Sequence, residues 1–135
     1  MFQTTITLPS STRGLHDITE ALRAVVADGE VQTGLCHVFL QHTSASLVIQ
    51  ENADPDVLSD LDDWFTRAAR DGDPRYRHTD EGPDDMSAHI RAAITQTSLM
   101  IPVVSGRLGL GTWQGVFLFE HRTNPHRRKL VITLF

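Results

Sequence analysis

Ser98-Leu-Met-Ile-Pro-Val-Val104, Thr112-Trp-Gln-Gly-Val-Phe-Leu-Phe-Glu120 and Lys129-Leu-Val-Ile-Thr-Leu-Phe135 are three apolar, partly β-branched runs. The glycine-rich stretch Gly106-Arg-Leu-Gly-Leu-Gly111 separates the first two. Such runs read as strands. Their short connections favour antiparallel pairing, because a parallel pair needs a crossover of about a dozen residues or more. This stretch therefore decides for an α+β fold over a doubly wound α/β one.

Working back along the chain, Met86, Ile90, Ala93 and Ile94 predict a short helix from Asp85 to Ile94 with an apolar side. Asp71 to Asp85 is a long polar loop, of the kind that is usually functional or disordered. Asp54-Pro55 opens another helix, a capping carboxylate followed by proline at the first helical position. Its stripe is Val57, Leu58, Leu61, Phe65 and Ala68. Ser46–Gln50 and Gly34–Gln41 read as strands, the latter apolar enough to be buried on both faces. Leu15, Ile18, Leu22, Val25 and Val26 predict a helix capped by Thr12 or Asp17 and ending by Gly29. Phe2, Thr4, Ile6 and Leu8 alternate with Gln3, Thr5 and Thr7, as in a half-buried strand.

The length of 135 residues fits one domain, 1–135. Twelve Lys+Arg against seventeen Asp+Glu leave a formal charge of -5, which argues against a general nucleic-acid partner. The acidity is local: Glu51 to Asp85 holds twelve acids and four Arg, a balance of -8, whereas the remainder has five acids and eight bases, +3. Seven histidines in a small acidic chain raise the prospect of a metal or acid–base site. The single cysteine, Cys36, excludes an intrachain disulfide and a cysteine zinc cage, and reads as a small buried hydrophobe. No charged-then-apolar leader opens the chain and no apolar run approaches about eighteen residues, so a cytoplasmic protein without a membrane partner is expected.

The motifs are individually weak. Gly106 to Gly111 lacks the Lys-Ser/Thr of a phosphate loop, and a strand rather than a helix follows it. It reads as a turn needing positive φ, with an anion-binding backbone nest beside Arg107 as the alternative. The histidines match no zinc motif. His37 and His42 are five apart and so point to opposite faces of one strand. His37 reads as packed in or near the core, and His16 and His126 as surface residues. Ser44 or Ser46 near His42 contains ingredients of acyl transfer, but the nucleophile elbow is absent. Trp113 reads as a core aromatic and Gln114 as an edge amide.

Longer strings carry more. Gln41-His-Thr-Ser-Ala-Ser-Leu47, Glu51-Asn-Ala-Asp-Pro55, Tyr76-Arg-His78, Glu81-Gly82, Asp84-Asp-Met86, His89-Ile90, Gly106-Arg107, Gly111-Thr-Trp-Gln-Gly115 and Glu120-His-Arg122 together resemble the YjbQ family, over nearly the whole chain and in the same order. Two departures stand out: Ser87, where the family often has proline, and Gln50, where asparagine is frequent. The resemblance implies a compact, mainly antiparallel β-sandwich with two to three flanking helices, assembled as a homotrimer. It also implies a secondary thiamine-phosphate synthase, a transferase that joins a pyrimidine-methyl pyrophosphate to a thiazole phosphate and releases pyrophosphate.

Such a reaction asks for charge stabilisation at the leaving group. Arg107 and Arg122 are the expected guanidinium forks, with Asp85 and Glu120 beside them as catalytic candidates. Asn52, Asp54, Thr112 and Gln114 are the substrate-binding candidates. A divalent cofactor is expected, Mg²⁺ on Glu51, Asp54 and Asp85 or Zn²⁺ on imidazoles. For zinc the first choice is His42, His78 and His89, with His121 as the alternative. The expected partner is a phosphorylated small molecule. Two other readings stand beside the transferase: a metal-dependent hydrolase, and a non-catalytic protein that binds a phosphorylated metabolite or a metal.

Overall fold

A computed structural model describes all residues, 1–135. Eight strands form two antiparallel sheets and three helices flank them. Sheet one has the order β1 (Phe2–Thr7), β8 (Lys129–Leu134), β3 (Thr33–Leu40), β5 (Ser98–Val104), β6 (Arg107–Leu108). Sheet two has the order β2 (Gly14–Asp17), β7 (Gln114–Glu120), β4 (Ala45–Glu51). The helices are α1 (Thr19–Gly29), α2 (Pro55–Ala68) and α3 (Asp85–Ala93). This is the α+β architecture expected from the C-terminal strands.

The core lies between the sheets. Cys36, Val38, Leu40, Leu99, Ile101, Val103, Leu130, Ile132 and Leu134 of sheet one meet Ala45, Leu47, Val116 and Leu118 of sheet two. Leu22, Val25 and Val26 of α1 join them. Cys36 is buried, and burial pushes its thiol up to about 11, so it packs as a hydrophobe. β7 is buried on both faces, with Phe119 meeting Phe65 of α2 edge-on on its outer side.

Several elements differ from expectation for identifiable reasons. Leu15 does not begin a helix; Gly14–Asp17 is a strand paired to β7, and α1 starts at Thr19. A strand followed by a helix here mimics one helical spacing, and the Asp17 carboxylate accepts the Thr19 N–H at the entry. β3 is buried on one face only: Cys36, Val38 and Leu40 point inward, whereas Leu35 and Phe39 are exposed. His37 shares that outer face and stacks near Phe39 rather than packing in the core. Trp113 is also exposed. The turn at Gly106 takes positive φ (75°), as expected, but its N–H donates to Gln32 O, so it is not free for an anion nest.

α3 inverts its expected face. Ile94 is exposed, and the helix buries Asp85, Ser87, Ala88 and Arg91 instead. Its polar side faces inward and is partly satisfied there: Ser87 Oγ donates to Asp71, and Arg91 Nη2 donates to Ala69 O at the end of α2, while Arg91 Nε and Nη1 are buried without a partner. This anchoring aims the first turn of α3 at the loop 71–84.

Candidate metal centre

His78, Asp85 and His89 converge, with one ligand atom from each lying within 4.8 Å of the others. Asp85 and His89 are four apart on α3 and so share a helix face. His78 comes from the acidic loop. Asp85 Oδ2 lies 2.6 Å from His78 Nε2 and 3.0 Å from His89 Nε2. The carboxylate is buried while both imidazoles reach solvent.

A second layer fixes these groups. His89 Nδ1 lies 2.9 Å from Thr43 O, which assigns it the proton and leaves Nε2 for the cluster. Arg122 Nη1 donates to Asp85 Oδ1 (2.8 Å), turning Oδ2 toward the imidazoles. Arg122 Nε donates to Asp84 Oδ2 (3.0 Å), which also accepts Thr123 N–H and Oγ1–H. Burial would raise the Asp84 carboxyl, but these donors outweigh it and hold it well below the usual range. Asp85 is lowered likewise: burial works against it, and the His78 bond with the His89 and Arg122 charges prevails. The hydrogen bond that His78 donates to the Asp85 carboxylate raises the His78 pKa.

Two imidazole nitrogens and one carboxylate oxygen suit a borderline divalent ion and leave coordination positions open. Around Zn²⁺ the donor atoms sit roughly 3.4 Å apart, so only a small side-chain adjustment separates the present spacing from a ligating one. An ion bound here would displace the protons shared between Asp85 and the imidazoles.

The other expected residues lie elsewhere. His42 does not join the cluster: its Nε2 accepts the Lys129 N–H (2.8 Å), and burial and Arg128 lower its pKa. His121 is fully buried, with Nε2 2.9 Å from Ser46 Oγ; burial, then Arg91, lowers it to about 3. Glu120 is fully buried against Arg128 (Oε1 to Nε 2.6 Å), and it also accepts the N–H of His121 and Arg122. Arg122 reaches the centre, but as a clamp on Asp84 and Asp85 rather than a free fork.

Asn52, Asp54, Thr112 and Gln114 gather at the opposite end of sheet two. There Glu51 pairs with Gln114, whereas Ala45 pairs with Glu120 at the end nearer the His78, Asp85 and His89 cluster. Asn52 Nδ2 donates to Thr112 O and Gln114 O, and Gln114 Oε1 accepts the Gly111 N–H. Asp54 caps α2 through the Asp56 N–H, and Glu51 accepts the Asp54 N–H. Glu51 and Asp54 therefore share no ion site with Asp85. Arg107 lies on the β5–β6 hairpin. Sequence reasoning gives no role to Thr43, Asp71, Ser87 and Arg91; Thr43 carries a signal as part of a family-matching string and Ser87 as a departure from the family pattern.

A sequence model of the family described as "UPF0047 protein YjbQ-like" matches residues 4–135. A UPF0047 protein of Synechocystis is 55% identical over 130 residues, covering 96% of this chain and 88% of that protein. The UPF0047 protein YjbQ of Escherichia coli O157:H7 is 44% identical over 134 residues, covering 98% and 96%. Among solved structures, a conserved hypothetical protein of Thermus thermophilus superposes with a TM-score of 0.87 at 33% identity, covering 98% of this chain and 99% of that one. A hypothetical protein of Aeropyrum pernix gives 0.89 at 27% identity, covering 100% and 98%.

Proposed function

The chain belongs to the YjbQ-like UPF0047 family, and from that premise we propose that it binds a divalent metal ion of borderline character, Zn²⁺ in the first instance, at His78, Asp85 and His89. The observation that carries this reading is the convergence of these three donors, with Arg122 and Thr43 orienting two of them. When bound, such an ion supplies Lewis acidity at an open coordination position. The chain's own part is to orient: Arg122 holds Asp85, Thr43 O sets the His89 tautomer, and buried Arg91 ties α3 to α2.

This reading favours a metal-binding protein or a metal-dependent hydrolase over the pyrophosphate-releasing transfer. For that transfer the expected forks are not together: Arg122 is committed to two aspartates and Arg107 sits on a hairpin of the other sheet. Elemental analysis of purified protein, then Zn²⁺ titration of the chelated chain, tests the proposal. About one ion per chain is expected, with His89→Ala losing it while far-UV circular dichroism is unchanged. Equal metal content in wild type and variant would reject the ligand set. A product assay on the two thiamine precursors tests the transferase separately.

The proposal includes self-assembly as a homotrimer. The outer face of sheet one exposes Leu35, Phe39, Met100, Val104 and Phe135, on β3, β5 and the chain's last residue, with no helix over them. Contiguous apolar surface of this kind marks an interaction face, and in a closed three-fold ring a different patch of the neighbouring copy covers it. Light scattering at micromolar concentration should report three chains; a monomer would reject it. No helix is long and apolar enough to cross a membrane.

A further inference from the structure

A cleft of about 500 Å³ lies between α1 and the β5–β6 hairpin. Its walls are Arg23, Val26 and Ala27 from α1 and Gly106, Arg107 and Leu108 from the hairpin. It is remote from the metal centre. Arg107 pairs with Val104, which pairs with Thr33 at the start of β3, whereas Thr43, the His89 partner, follows the far end of β3. At about 3.3 Å per residue the eight residues of β3 alone set the two sites roughly 23 Å apart.

The chemistry of its walls is divided. Val26, Ala27 and Leu108 give an apolar floor. Arg107 makes no ion pair and no side-chain hydrogen bond, although the chain has more acids than bases. Arg23 is held only by Glu20, one helical turn away and largely exposed. An exposed pair of this kind contributes little and yields readily to a competing anion. Two guanidinium groups above an apolar floor fit an anionic head on an apolar body, and the volume is that of a small-molecule pocket. The left-handed turn at Ser105 and Gly106 presents Arg107 at the rim.

We propose that this cleft is a binding site, independent of the metal centre, for a small amphiphilic anion, a phosphate monoester or carboxylate carrying a short apolar group. The two guanidinium groups take the head and the Val26–Ala27–Leu108 floor takes the tail.

The test is an amide NMR titration of the full chain with n-hexyl phosphate and with hexanoate, using hexanol and inorganic phosphate as half-ligands. Saturable shifts at Ala27, Gly106 and Leu108 are expected with at least one hexyl anion, and weaker binding of both half-ligands. The preferred anion identifies the head group. Arg107→Ala should weaken that anion about tenfold or more. Ala27→Glu, which adds a carboxylate to an exposed helix position, should do the same. Arg127→Ala, an exposed arginine elsewhere, should leave binding unchanged, as should His89→Ala. The proposal is overturned by non-saturable shifts, by equal weakening from Arg107→Ala and Arg127→Ala, or by loss of binding in His89→Ala.

Discussion

At the Ala45–Glu120 end of sheet two, charged side chains hold one another as well as the backbone; at the Glu51–Gln114 end polar side chains hold the backbone alone. The first end has Arg128 on Glu120, Arg122 on Asp84 and Asp85, and Asp85 on two imidazoles. The second has Asn52 on two carbonyls, Gln114 on an N–H and Asp54 on an N–H. Crosslinked charges set a ligand's position in advance. Side chains spent on turns and caps set only the local fold. Family-matching strings therefore mark two kinds of work, and the contrast can be tested by substitution.

The largest effect should come from the charged end. Arg128 is nearly fully buried, makes two bonds to Glu120, and also donates to Ser44. Arg128→Met leaves Glu120 charged and buried without its partner, which typically costs about 3–5 kcal/mol. Urea unfolding should show that loss, and the double variant Arg128→Met/Glu120→Gln should recover part of it. A loss below about 1 kcal/mol would mean that this end is no more crosslinked than the other.

A pH effect comes next. His121 is neutral in the fold, with its pKa lowered to about 3 by burial and by Arg91, whereas the unfolded chain takes up the proton near its ordinary value of 6.5. Stability should therefore fall as pH drops from about 6.5 toward 3, by up to about 1.4 kcal/mol per pH unit. His42, lowered by burial, acts in the same direction. His78, raised by Asp85, acts in the opposite direction, weakly because it is exposed. Below the ordinary Asp value of 3.8, Asp84 adds its own loss. His121→Gln should flatten the profile between pH 6 and 4.5. Parallel wild-type and variant profiles would remove His121 from the account.

How much is legible in the sequence follows the same division. The strands, α2 with its Asp54–Pro55 start, and the α+β class follow from period and turn chemistry, which are local. His78, Asp85 and His89 stand in family-matching strings, and the last two share a helix face by spacing alone. What local pattern does not carry is which polar side chains are satisfied across the fold. For that reason His42 and His121 look equivalent to His78 in the sequence, Arg122 looks free, and the apolar face of α3 looks like its buried one. The strand at Gly14–Asp17 is hidden because one strand residue and a following helix reproduce a helical spacing.

The smallest effect belongs to the second end and sharpens the comparison most. The Asp54 carboxylate accepts the Asp56 N–H in front of a proline-started helix that buries no residue completely. Loss of such a cap costs about 1 kcal/mol. Asp54→Ala should therefore shift the unfolding midpoint slightly. If Asp54 is a cap and nothing more, Zn²⁺ affinity will be unchanged, because α2 contributes no ligand atom to the centre. Asp54→Asn, which retains a capping oxygen, should restore most of the stability. A tenfold drop in Zn²⁺ affinity in Asp54→Ala would show that the two ends of the sheet are coupled, and the distinction between a charged end and a capped end would fail.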